Sequence, residues 1–185
     1  FSMNNIPFAL HSFDVCTIGC FHITISGAVI LKQNTLQINY QLQGDDIAAV
    51  NFPQLSQTSS RKDNLWEATC FELFVTTPES PLYWEYNLSP SGDWAVFRFT
   101  DYRENKANEP SISNIDIDTE TNNSKQFILT SSLPLPEMLT GRQLCIGISA
   151  VIKNHQGETF YYALEHRSQK PDFHNRKSFT IRIER

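Results

Sequence analysis

Apolar and polar positions along the chain alternate in short runs separated by turn residues, the period-2 pattern of half-buried strands. It predicts strands over 21–26, 35–42, 68–77, 82–89, 94–100, 126–132, 143–152, 159–165 and 178–183. Ser89-Pro90-Ser91-Gly92-Asp93 lies between two aromatic strands and reads as a hairpin loop, with Pro fixing φ and Gly accepting positive φ. Asn154-His155-Gln156-Gly157 reads the same way between two later strands. Helical periodicity is almost absent, and only the stretch from Pro136 to Gly141 is expected to make a single turn. Two segments, 53–64 and 102–123, are rich in Ser, Asn, Gln and charge with little alternation, and are expected to be irregular loops over a sheet end. The fold expected is all-β, a two-sheet antiparallel β-sandwich with almost no helix.

Length and composition narrow this further. The 185 residues are expected to form a single domain over 1–185. An apolar fraction of 40% and thirteen Phe, six Tyr and three Trp supply a sizeable core and favour strands, whose pleated surface suits flat rings. The net charge is −5 and no basic run exceeds Arg61-Lys62, which argues against a nucleic-acid partner. No apolar run approaches the roughly twenty residues of a membrane helix, so no membrane partner is expected. Phe1-Ser2 before Met3 reads as a tag remnant, and no basic-then-apolar leader opens the chain, so a cytoplasmic location is expected. Cys16 and Cys20 are too far apart for Cys-x-x-Cys, and Cys70 and Cys145 sit in strand-like runs. All four read as ordinary thiols, the last two buried.

The densest chemistry lies between Leu65 and Arg103. Alternation places Phe71, Leu73 and Val75 on one face of the 68–77 strand and Trp66, Cys70, Glu72 and Phe74 on the other. The next strand sets Tyr83, Glu85 and Asn87 against Trp84, Tyr86 and Leu88. If these strands are neighbours, Glu72, Glu85, Asn87 and Arg98 share one face as a pocket floor. An ion pair of Glu72 with Arg98 is the structural alternative. Pro171 makes 166–174 a loop in which Asp172 and His174 point the same way, with His166 at its start. Trp66 reads equally well as a rim residue of the core, and Trp84, Tyr86, Phe97 and Phe99 as packing.

The runs Leu-Trp-Glu-x-Thr-Cys-Phe-Glu-x-Phe over 65–74, Tyr-Trp-Glu-Tyr-Asn-x-Ser-Pro-Ser-Gly-x-Trp over 83–94, Tyr-Arg-Glu over 102–104 and Leu-Glu-His-x-x-x-Lys-Pro-Asp-Phe-His over 164–174 resemble the bacterial DOMON-like proteins. That group is related in fold to family 9 carbohydrate-binding modules and to cytochrome-type DOMON domains. The resemblance, from about Phe21 onward, implies a β-sandwich with a ligand pocket and names no ligand. In the carbohydrate-binding relatives a stacking Trp stands six residues before a sugar-binding Glu, which carries over to Trp66 and Glu72. Their following strand bears Arg-x-Asn; Asn87 matches the Asn, while Glu85 replaces the Arg. They close the pocket with a second Trp, whereas here no Trp follows Trp94, leaving Phe173 or His174 to close it.

These readings predict a non-catalytic module binding a carbohydrate or other polyhydroxylated small molecule through Trp66, Glu72 and Asn87, with Arg98, His166, Asp172 and His174 contributing. A Trp face suits the C–H face of a pyranose, a carboxylate accepts from adjacent hydroxyls, and Asn both donates and accepts. No cofactor is expected. The alternatives are a haem- or metal-binding DOMON-type module and a hydrolase using Glu72 and Glu85. For haem, the one internal methionine, Met138, lies in the 136–141 turn away from any His-bearing strand. For a metal, His166, Asp172 and His174 match no strong ligand spacing. A hydrolase would need its two carboxylates roughly 5 to 9 Å apart across a sugar.

Overall fold

A computed structural model of the chain describes residues 5–14 and 21–184. The expectations about Phe1 to Met3, Cys16 and Cys20 fall outside those residues. Twelve strands follow one another: β1 (Asn5–Ser12), β2 (Thr24–Lys32), β3 (Thr35–Gln43), β4 (Cys70–Thr76), β5 (Tyr83–Leu88), β6 (Trp94–Phe99), β7 (Ala107–Asn108), β8 (Asp116–Asn122), β9 (Gln126–Pro134), β10 (Leu144–Lys153), β11 (Thr159–Ala163) and β12 (Ile181–Ile183). The helical content among the described residues is four 3₁₀ turns of three to five residues, including Glu137–Leu139 where the single turn was expected.

Every strand pairing is antiparallel. One layer has the order β8-β9-β3-β2-β1 and the other β7-β6-β5-β4-β10-β11, with β12 flanking the first half of β10. β1 joins the layers: it pairs with β2 along most of its length, then turns His11 and Ser12 onto Ala163 and Tyr162 of β11. The result is one curled sheet folded on itself as a sandwich. Ile25, Leu36, Tyr40, Leu42 and Leu129 of the first layer meet Phe71, Leu73, Tyr86, Leu88 and Ile146 of the second in the main core. Each such ring or aliphatic group contributes roughly 1.5–3 kcal/mol on burial. Two phenols pin the layers together, Tyr40 donating to the Glu72 carbonyl at 2.8 Å and Tyr86 to the Pro134 carbonyl at 2.6 Å.

The second layer is covered on both faces, which is why all seven residues of β4 and all six of β5 are buried. Its outer face carries a second apolar cluster, in which Phe74, Tyr83, Phe97 and Phe99 pack with Phe179 from the C-terminal segment. Gly147 lets that segment approach, because a Cβ there would lie 2.5 Å from the Phe179 ring.

Both expected hairpins are present. In the first, the Gly92 amide donates to the Ser89 carbonyl with Gly92 at φ 88°. The 102–123 stretch departs from expectation by containing β7 and β8. β8 is an outer strand whose polar residues Asp116, Asp118 and Glu120 disguise the alternation of Ile117. β1, with Pro7 inside it, was not expected, and β2 runs on to Lys32 through Gly27 and Ala28. The last strand starts later than expected, at Ile181.

The 53–64 stretch is irregular, as expected, and Asp93 ties it down. The Asp93 carboxylate accepts from Ser56 Oγ at 2.6 Å, Ser60 N at 3.1 Å, Ser91 Oγ at 2.9 Å and Lys62 Nζ at 2.7 Å. Burial works against its charge, yet these donors prevail and hold Asp93 at about 2. Arg61 lies 4.5 Å over the Trp94 ring. Asn64 then turns the chain through a left-handed conformation, φ 60°, into the 3₁₀ turn Leu65–Glu67 that carries Trp66.

Candidate functional site

Pairing in the second layer fixes what stands on its outer face. Ser149 of β10, Glu72 of β4, Asn87 of β5 and Ala95 of β6 form one cross-strand row. Gly147, Phe74, Glu85 and Phe97 form the next, so Glu72 and Glu85 are diagonal neighbours. Above these rows opens a cavity of about 380 Å³, walled by Trp66, Phe99, Tyr161, Phe173 and His174, with Glu72 and Glu85 in its floor and Arg103 and Lys106 at its side. A wider hollow of about 500 Å³ on the outer face of the first layer is lined by Gln37, Asn39, Asp116, Asp118 and Thr130, and offers no aromatic surface.

Glu72 is 3% exposed, and among the described residues its carboxylate finds no hydrogen-bond donor. Burial, then the charge of Glu85, pushes it well above the usual carboxylate range, with Arg103 opposing. Beside it the Ser149 hydroxyl is buried without a partner. Glu85 accepts from Asn87 Nδ2 at 2.8 Å and lies 3.7 Å from His174 Nε2. Burial also raises Glu85, against the Asn87 hydrogen bond and the charges of Lys106 and Arg103.

His174 is seated by its Nδ1, 2.8 Å from the Tyr83 hydroxyl, which accepts in turn from the Arg103 amide at 3.0 Å. A phenol has one proton to give, so full satisfaction has Tyr83 donating to Nδ1 and leaves the imidazole proton on Nε2, facing Glu85. Burial and then the charge of Arg103 depress His174 to about 3, keeping it neutral.

Asp172 organises the rim. Its carboxylate accepts from Arg103 Nη2 at 3.1 Å, the Tyr102 hydroxyl at 2.9 Å and the His174 amide at 3.2 Å, binding the loop after β6 to the loop after β11. Arg103 holds a left-handed conformation there, φ 54°. Lys106 reaches back from the same loop until its ammonium stands 4.4 Å over the Trp66 ring and 3.7 Å over that of Phe97.

Of the residues singled out from the sequence, Trp66, Glu72 and His174 border the cavity, with Trp66 reaching it from a 3₁₀ turn rather than from the strand. Asn87 lies beneath the floor, wholly buried, holding Glu85 and receiving the Cys70 thiol at 3.7 Å. Asp172 stands behind the wall as a positioning group. Arg98 corrects the expectation: it pairs opposite Trp84, whose ring lies in the main core, so alternation points it away from Glu72, Glu85 and Asn87. Glu72, Glu85 and Asn87 share the outer face without Arg98, and among the described residues no ion pair joins Arg98 to Glu72. His166 is also elsewhere, its Nε2 2.8 Å from the His11 carbonyl and its ring on Phe13. His166, Asp172 and His174 are therefore not assembled as a ligand set, and no such cluster occurs among the described residues. Met138 is 56% exposed on its turn.

Lys106 and Tyr161 were missed from the sequence. Tyr161 was legible, since it pairs with Val151 next to the row containing Ser149. Lys106 was a lone cation in a segment without periodicity.

No family model and no curated protein matches the sequence. Among solved structures the chain is similar to a candidate carbohydrate-binding protein from Bacteroides uniformis, with TM-score 0.61 and 10% identity over 95% of this chain and 84% of that one. It is also similar to a family 9 carbohydrate-binding module from Caldicellulosiruptor kristjanssonii. The glucose complex gives TM-score 0.47 and 9% identity over 88% of this chain and 74% of that one. The cellotriose complex gives 0.49 and 9% over 88% and 72%. At 10% identity the likeness to the Bacteroides uniformis protein is one of fold.

Proposed function

We propose that the chain is a non-catalytic ligand-binding module of DOMON-like type that holds a carbohydrate or other polyhydroxylated small molecule in the cavity over Glu72. The observation that carries this reading is the Glu72 carboxylate, buried without a donor where a ring-walled cavity opens. A carboxylate held almost out of water with no protein donor is costly to keep charged, and a ligand bearing adjacent hydroxyls supplies the missing donors. The volume falls within the roughly 300–1,000 Å³ of small-molecule sites. Trp66, Tyr161 and Phe173 line the cavity with aromatic side chains of the kind that pack on the C–H face of a sugar. The fold shared with the Bacteroides uniformis protein, itself a candidate carbohydrate-binding protein, agrees with this reading. Binding rather than turnover is favoured because Glu85 is already engaged by Asn87 and faces His174, leaving one carboxylate open to the ligand.

The test is a glycan-array screen followed by calorimetric titration. Binding of at least one sugar is expected, with a loss of tenfold or more on Trp66→Ala. An array without hits, or affinity unchanged by that substitution, removes the proposal.

A further inference from the structure

The Lys106 ammonium occupies the part of the site where a ligand would stack, over the faces of Trp66 and Phe97 and on the cavity's border. Ring faces attract cations through their quadrupole, and a site that draws in a protein ammonium has the chemistry to accept one from outside. The floor beneath has the same preference. Glu72 lacks a donor, the neighbouring Ser149 hydroxyl is 2% exposed and unpartnered, and Glu85 is the cross-strand partner of Phe97. The other cation at the wall, Arg103, is engaged by Asp172, and His174 is neutral. Lys106 is therefore the cation beside the floor that has no carboxylate within ion-pair distance among the described residues, and it is held on an exposed loop.

We propose that the cavity selects a cationic, amine-bearing ligand, an amino sugar in its ammonium form, and that Lys106 is the resident stand-in which that ligand displaces. This rests on the carbohydrate reading and narrows it. An ammonium brings three donors, enough for Glu72 and Ser149 together, and its charge-assisted bonds are about twice as strong as those of a neutral hydroxyl. Displaced Lys106 regains water at little cost, because its loop stays anchored by Arg103 and Tyr102 on Asp172.

Three sugars of one ring stereochemistry separate the possibilities: glucose, glucosamine below the pKa of its amine, and N-acetylglucosamine, in which that amine is a neutral amide. Cyclohexylammonium serves as a cation without hydroxyls. Titration calorimetry of the full chain is expected to show glucosamine binding at least tenfold more tightly than glucose, with N-acetylation removing the advantage. Glu72→Gln is expected to bring glucosamine down to the glucose affinity. Lys106→Met, on an exposed loop and so no threat to folding, is expected to raise glucosamine affinity severalfold by emptying the ring faces. Equal binding of glucose and glucosamine, or tighter binding of glucose, overturns the cation preference and leaves the sugar reading standing. Cyclohexylammonium binding that depends on Glu72, with all three sugars silent, keeps the cation preference and removes the sugar. Silence of all four probes removes both. Unchanged or weaker glucosamine affinity in Lys106→Met overturns the displacement.

Discussion

The Tyr83 phenol and the His174 imidazole are joined by a 2.8 Å hydrogen bond that sets the far wall of the cavity. Tyr83 opens β5, between the ends of β4 and β6, and His174 comes from a loop 91 residues later in sequence, so this bond fastens the C-terminal segment over the sheet. Phe74 and Phe99 meet the His174 ring edge-on, each with centroids 5.1 Å away, and exclude the water that would solvate an imidazolium.

That arrangement makes the fold acid-sensitive through one side chain. The unfolded chain protonates His174 near about 6.5, whereas the native state holds it at about 3. Between those values the unfolded state binds the extra proton, so native stability falls as pH is lowered, by up to about 1.4 kcal/mol per unit. Glu72 and Glu85 are raised and contribute the opposite slope, so the effect is isolated by comparison with His174→Gln, which keeps both acids. Urea denaturation from pH 7 to 4.5 is expected to show the wild type losing about 2–3 kcal/mol relative to the variant. An offset that stays constant over that range contradicts it.

What the sequence disclosed and what it hid divide along one physical line. Period-2 alternation and turn chemistry reveal strands with one wet face, or with aromatic residues on both, and so β3 to β6 and β9 to β11 were legible within a few residues. β8 was hidden because its outward Asp116, Asp118 and Glu120 read as a solvated loop. β1 was hidden by Pro7 and by a weak pattern in which only Phe8 and Leu10 are buried. Glu72 was legible because a carboxylate between Cys70 and Phe74 needs a reason to be there. Arg98 takes the other face because the register of β6 on β5, which decides the face, is not available from pattern alone. Lys106 belongs to the site through the bonds that Tyr102 and Arg103 make to Asp172, about 70 residues away, and no local pattern encodes that.

Asp93 is expected to matter for stability more than its loop position implies. Its depressed value, about 2 against about 3.9 unfolded, means its contribution is complete above about pH 4 and is lost as pH falls towards 2. Asp93→Asn is expected to cost about 2–4 kcal/mol at pH 7 and to sensitise the 53–64 segment to proteolysis, because one of the two oxygens accepting from Ser56, Ser60 and Lys62 becomes a donor and the charge facing Lys62 is lost. The gap to wild type narrows below pH 4. Denaturation at both pH values checks this, and a cost below 0.5 kcal/mol at pH 7, within the usual range of surface changes, contradicts it.

Gly147 is predicted to tolerate no side chain. Its added Cβ would meet the buried Phe179 ring at 2.5 Å, and that ring packs on Phe74 at 5.6 Å and Tyr83 at 6.2 Å. Gly147→Ala is expected to cost about 2–3 kcal/mol by expelling the ring. A double-mutant cycle with Phe179→Leu checks the cause: the double mutant must cost less than the two single costs summed, since a smaller side chain vacates the space the methyl needs. Strict additivity excludes the steric account.

Glu72 is expected to trade stability for binding. Its carboxylate is raised by burial and by Glu85, which means that the native state disfavours its charged form. For an acid with a raised folded value the native state binds the extra proton, so the penalty is full above that value and the wild type gains stability as pH falls through it towards the unfolded value. Glu72→Gln removes the charge while keeping the shape, and is expected to stabilise the free protein by about 1–2 kcal/mol at pH 7.5, with the difference closing as pH is lowered. Tyr40, which donates to the backbone carbonyl of Glu72, is untouched by the change, so the strand stays in place. Urea midpoints of the two proteins from pH 7.5 to 5 provide the measurement. A variant less stable than wild type at pH 7.5 would show that the carboxylate has a protein partner after all, and with it the claim that its donors come from a ligand would fall.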